Sequence, residues 1–186
     1  MSTPEKTEPP VPGGPTGTRT DRAEPSGLAG EREMLEGWLD YHRQTLAMKC
    51  EGLDEERLRH RSAPPSDLSL LGLVRHMADV ERGWFRRVLA GEVADPLFYS
   101  EDDLDRDFHP GEEDSWEQAY DAWQEEIAHA RELAAPRGLD DVAEGTHRSG
   151  RTFNLRWIYT HMIEEYARHN GHADLLRERI DGATGD

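Results

Sequence analysis

Four stretches of this chain, each about 20 residues long, repeat their apolar residues at spacings of three and four, and almost nothing alternates with period two. That period belongs to helices that each bury one face. The first runs from Glu31 to Cys50, with Leu35, Trp38, Leu39, His42, Leu46 and Lys49 on its stripe and Gly52 as a stop signal. A short helical turn over DEERL follows, up to the break at Pro64-Pro65. The second helix is expected over Leu68 to Leu89, with Ser66 as N-cap and Gly91 as terminator. A long acidic connection, Glu92 to Asp114, leads to the third helix, capped by Ser115 and reaching about Leu133. Its buried stripe is Trp116, Ala119, Tyr120, Trp123 and Ile127, and Pro136 and Gly138 end it. Leu139 to Phe153 reads equally as a loop or a brief extended pair. Asn154 caps the fourth helix, Leu155 to Ile180, which Gly182 closes. Four such helices predict an all-α fold, a four-helix bundle. The second connection is long enough to cross the bundle end, which permits an up-down-down-up order.

At 186 residues the chain fits one domain and a tail. Residues 1–29 are rich in Pro, Gly, Thr and charge and cannot bury enough apolar surface to offset ordering entropy, so they are expected to be a disordered tail. The bundle is expected over residues 30–182. The formal net charge of -17 argues against nucleic acid or an anionic membrane as partner. No apolar run spans a bilayer. The N-terminus lacks the apolar core of a secretory signal. The single cysteine, Cys50, excludes an internal disulfide framework. Together these point to a cytoplasmic protein.

The fourth helix, LRWIYTHMIEEYARHNGHADLLRERI, carries polar groups where a core belongs. On a helical wheel His161, Glu165, His169 and His172 fall in the middle of the apolar arc. Trp157 and Leu175 flank them on one side, and Ile158, Leu176, Met162 and Ile180 on the other. An unpaired carboxylate there would cost several kcal/mol, roughly, in lost solvation. A metal ion compensates directly, because it takes carboxylate oxygen and neutral imidazole nitrogen as ligands. Glu165 and His169 are four apart and meet on one face. His76, among Leu73, Val80 and Trp84 on the second helix with Gly72 and Gly83 beside it, is the best third ligand. Three protein ligands leave a position open for water or substrate, as in catalytic sites.

The bland reading of each feature stands beside this one: a core histidine is more often simply hydrogen-bonded, and an i, i+4 Glu–His pair is a common helix contact. Glu81 and Arg168 could pair to orient a ligand or form a plain interhelical ion pair. His161 and His172 are candidate pocket residues or alternative ligands, and His42 lies near enough to reach the pocket. His60, His109, His129 and His147 read as surface or loop residues, and Trp84, Trp116, Trp123 and Trp157 as core.

SDLSLLGLVRHMADVERGWF and NLRWIYTHMIEEYARHNGHADLLRE together resemble the actinobacterial branch of the DinB/YfiT-like superfamily, related to mycothiol-dependent maleylpyruvate isomerase and mycothiol S-transferases. The resemblance covers about residues 30–182. It implies an up-down-down-up four-helix bundle and a metal triad with one histidine on the second helix and two residues four apart on the fourth. His76 matches the first ligand, and His169, just before Asn170-Gly171, the last. The middle position is often histidine in the superfamily; here it is Glu165, as in relatives of the isomerase. Zinc is most often implied, with nickel, iron and manganese as alternatives. A low-molecular-weight thiol such as mycothiol is the implied co-substrate, an electrophile its acceptor, and a homodimer the implied assembly. The function so implied is metal-dependent thiol S-transfer in detoxification or stress response. A hydrolase using metal-bound water, a non-catalytic bundle that binds a metal or small molecule, and a metal-free bundle are the competing readings.

Overall fold

A computed structural model describes residues 22–184. Helix α1 spans Glu31–Cys50, the short α2 Glu55–Arg59, α3 Leu70–Glu81, α4 Trp116–Ala134 and α5 Leu155–Asp181. Helix α3 continues without a break as a π-helical segment, Arg82–Leu89. The caps are mostly the expected ones: Ser115 accepts from the Gln118 N–H, Asn154 from the Trp157 N–H, and Gly182 leaves α5 at φ 78°. The start of the second long helix differs. Ser69, not Ser66, caps it by accepting from the Gly72 N–H, while the Ser66 hydroxyl closes a turn by accepting from the Leu68 N–H. Between α4 and α5 the chain is a loop whose ordered extended contact is a single antiparallel bridge, Val142 to Asn154.

Cross-helix contacts give the helix directions. Along α1 and α5, Glu36 meets Tyr159, His42 meets Asn170 and Lys49 meets Asp174, so these two run parallel. Arg75 meets Asp114 and Arg82 meets Glu126, so α3 and α4 are parallel too. Arg32 reaches the Ala134 carbonyl and Asp40 reaches Arg131, which sets α1 against α4. His76 lies by His169 and Trp84 by Trp157, which sets α3 against α5. The order is therefore up-down-down-up, and the crossing segment is the acidic connection between α3 and α4.

The core is mostly apolar, and a charged pair is buried within it. There Glu81, fully buried, takes two hydrogen bonds from the Arg43 guanidinium at 2.8 and 2.7 Å. It takes a third from the Tyr166 hydroxyl at 2.7 Å, and that oxygen accepts from the Trp123 indole at 2.8 Å. One chain of hydrogen bonds thus ties α1, α3, α5 and α4 together. Arg43 and Glu81 satisfy each other in a fork-to-carboxylate pair, which makes their burial tolerable. The pairing expected between Glu81 and Arg168 does not form. Arg168 is on the surface and pairs with Glu164 on its own helix.

The connection between α3 and α4 is folded down onto α3. Arg75, 1% exposed, donates to the backbone carbonyls of Asp107 and Arg106 and pairs with Asp114. Asp79 accepts from the Leu97 and Phe98 N–H groups. Gly72 lets the strap approach: a Cβ there would lie 2.3 Å from the Phe108 carbonyl oxygen. Residues 22–29, within the stretch expected as tail, run along α1, with Arg22 donating to the Thr45 hydroxyl at 2.9 Å and lying over the Tyr41 ring. Residues 1–21, the rest of that stretch, lie outside the described residues.

Candidate metal centre

Helices α3 and α5 cross where each carries polar groups on its apolar face. His76 from α3 and Glu165 and His169 from α5 bring one potential ligand atom each to within 4.8 Å of one another. The i, i+4 spacing places Glu165 Oε2 3.6 Å from His169 Nε2. The His76 and His169 rings are 4.7 Å apart. His169 is buried, and the other two are half-buried, open on one side. The Glu165 carboxyl sits below the usual carboxylate range. The close approach of the His169 imidazole is the largest cause; the nearby charges of His161, His169 and His76 add to it, against an opposing effect of burial.

Asp107 is the residue that sequence reasoning missed. It lies on the acidic connection, is 3% exposed, and its Oδ2 is 2.9 Å from His76 Nδ1. An ionised carboxylate only accepts, so Nδ1 carries the hydrogen and Nε2 is the nitrogen with a free lone pair. Phe108 stacks on the other face of the ring at 4.1 Å. His76 is thus fixed in tautomer and orientation, which is how metal-ligating histidines are commonly supported. No spacing rule marks Asp107 among so many acidic neighbours.

The remaining candidates divide. His161 belongs with the site: its Nε2 is 3.3 Å from Glu165 Oε1. With Glu164 and Glu165 it forms a second cluster of potential ligands. His172 touches His169, Nδ1 to Nδ1 at 3.4 Å, and its pKa is lowered by burial and by the charges of His169 and Arg168. His42 faces Asn170, whose side-chain nitrogen donates to the His42 carbonyl at 3.0 Å. Burial, then the charge of Arg22, lowers its pKa. Glu81 and Arg168 take no part in the cluster, for the reasons given above.

The triad opens into a cleft of about 930 Å³. Trp84 and Trp157, expected as core, are instead half-buried in its wall. His147, expected at the surface, stacks on Trp84 with centroids 5.0 Å apart and planes 11° apart. The donor set fits a divalent metal: two imidazoles and a carboxylate, converging, with one histidine buttressed and a cleft on the open side. Cys50 is not part of this chemistry. It is buried, and burial pushes its thiol up to about 12.

Among the described residues no helix is long and apolar enough to cross a membrane. A family model described as MST: Mycothiol-S-transferase matches residues 34–182, which takes in nearly the whole bundle. No curated protein matches the chain.

Proposed function

The chain belongs to the mycothiol S-transferase family, and on that footing we propose that it transfers a low-molecular-weight thiol of the mycothiol type onto an electrophile, using a divalent metal held by His76, Glu165 and His169. The observation that carries this reading is the convergence of those three donors, two of which, His76 and Glu165, line an open cleft. Zinc suits two imidazoles and a carboxylate, and nickel, iron and manganese take the same donors. When bound, the metal supplies one thing: it lowers the pKa of a coordinated thiol, so that thiolate is present at neutral pH.

The protein's own residues do the rest. Asp107 holds the His76 Nδ1–H and so presents Nε2. Glu165, ionised over the whole physiological range, contributes negative charge and keeps the two histidine rings company. Phe108 on one side and Trp84 and Trp157 on the other limit water around the reacting sulfur. The chain's single thiol is buried and held protonated, so the reacting sulfur is the small molecule's. Transfer forms one sulfur–carbon bond while the acceptor's leaving group departs with the electron pair of its bond to that carbon, and the thiol proton goes to solvent. A compartment that keeps thiols reduced, the cytoplasm, suits this reaction.

The test is thiol consumption by metal-loaded protein against panels of electrophiles, with mycothiol, bacillithiol and glutathione in parallel. Turnover with at least one thiol is expected. Stoichiometric metal with no turnover for any thiol refutes the reading, and hydrolysis that thiol inhibits would assign the site to metal-assisted hydrolysis instead.

A further inference from the structure

The chain is acidic, and most arginines in the described residues are paired with a carboxylate. Five arginines form no ion pair among the described residues, and three of them, Arg87, Arg148 and Arg151, line the cleft beside the triad, while Arg22 and Arg179 lie elsewhere. Arg87 comes from the π-helical end of α3, where its Nη2 donates to the Tyr99 hydroxyl at 2.9 Å. Arg148 and Arg151 come from the loop before α5 and are exposed. The Arg151 guanidinium stands over the Phe153 ring at 5.2 Å and the Trp157 ring at 5.9 Å. That face-on placement occupies the π-side of the cation and leaves its N–H edge available. The carboxylates of the same wall are mostly engaged: Asp79 by two backbone N–H groups, Asp107 by His76, Glu165 by its histidines. Asp105 lies on the exposed connection. Positive charge is felt inside the cleft: after burial, Arg148, His161 and Arg151 all lower the pKa of His147. The same lining holds Asp79, Asp105, Asp107 and Glu165, and Arg87 acts on Asp79, so the attraction for an anion is local to the Arg148–Arg151 rim and the guanidinium edge of Arg87 rather than a field of the whole cleft. The rings of Trp84, His147, Phe153 and Trp157 supply flat apolar faces between those cations and the triad.

We infer that the electrophile taken by this cleft is an organic acid: a carboxylate, gripped by Arg87 and Arg151 with Arg148 at the rim, joined to a flat apolar body that lies on the aromatic wall. The inference rests on the transfer reading for the role of the cleft, but its test does not. The anion is assigned to the acceptor rather than to the thiol, and the probes are titrated without thiol for that reason. In the matching reaction the thiolate sulfur bonds to the electrophilic carbon, the leaving group departs with the electron pair, and the thiol proton goes to solvent.

The test uses unreactive probes first. 4-Methylbenzoate and 4-methylbenzamide are titrated into the full chain, both metal-loaded and chelator-treated, with tryptophan fluorescence and calorimetry as readouts. The acid is expected to bind about tenfold more tightly than the amide in both forms, which is about 1.4 kcal/mol. The preference should shrink to about twofold or less in an Arg87→Gln/Arg151→Gln variant of unchanged circular dichroism. Equal binding of the two probes overturns the inference. So does a preference that survives the double substitution, or one that disappears on chelation, since the carboxylate would then be sitting on the metal. With mycothiol present, 4-(chloromethyl)benzoate should react about tenfold faster, in kcat/KM, than 4-(chloromethyl)benzamide, chloride leaving in each case. No turnover with either compound counts against the transferase reading alone; the binding preference decides this one.

Discussion

Replacing Asp107 should weaken metal binding without touching a ligand. Its Oδ2 is 2.9 Å from His76 Nδ1 and its Oδ1 accepts from the Phe108 N–H at 2.9 Å, so the carboxylate both orients the imidazole and shapes the strap that stacks on it. Asp107→Asn keeps an acceptor in place but removes the negative charge beside the His76 ring. Asp107→Ala leaves Nδ1 unpaired and the ring free to turn. Loss of such a supporting partner typically costs about 10–100-fold in metal affinity, which is about 1.4–2.7 kcal/mol. The burial of Asp107 puts Asp107→Ala at the upper end and Asp107→Asn at the lower. The assay is zinc competition against a chromogenic chelator, with chemical denaturation of the metal-free proteins alongside to separate lost affinity from lost fold. If Asp107→Ala binds zinc as tightly as the parent, His76 is not positioned in this way and the reasoning fails.

Three further outcomes follow from the same contacts. Glu81→Gln should lower the unfolding free energy by about 1–3 kcal/mol, because it removes the buried counter-charge of Arg43 and leaves only the part-exposed Asp40; a urea midpoint unchanged from the parent would contradict the role given to that pair. Gly72→Ala should cost about 1–3 kcal/mol, since the new methyl meets a backbone carbonyl rather than a side chain that could swing away; it should also loosen metal binding by displacing Phe108, read in the same chelator assay. Glu165 has a folded pKa below its ordinary value of 4.5, so the stability it contributes is present above that value and is lost as pH falls through the lower one. The unfolding difference between the metal-free parent and Glu165→Gln should therefore shrink on acidification below about pH 4.5, and a difference that grows there would reverse the assignment.

The chemistry-bearing helix was legible because its polar residues break a rule: Glu165 and His169 sit on an otherwise apolar arc, and their i, i+4 spacing makes them neighbours in any helix. The ends were legible where one residue has one use, as with Ser115, Asn154 and Gly182. Ser66 and Ser69 show the limit. Both can accept from an N–H further along the chain, and only the packing of α3 decides which one closes a turn and which caps the helix. Asp107 was hidden because 31 residues separate it from His76 and many acids surround it. Glu81 was legible as a pairing residue but its partner was not: Arg43 was hidden because charged residues ordinarily mark a solvent face, and here it is buried against Glu81, with Asp40 and Tyr166 adding to the pair. The π-helical turn that carries Trp84 and Arg87 has no residue signature in this chain.

Elemental analysis of the full-length protein, purified without chelator, addresses the metal centre most directly. The account predicts about one divalent metal per chain for the parent, lost in His76→Ala and in His169→Ala while both variants keep their helical circular dichroism. A metal-free parent that still binds no zinc on titration, or full occupancy in either variant, would contradict it.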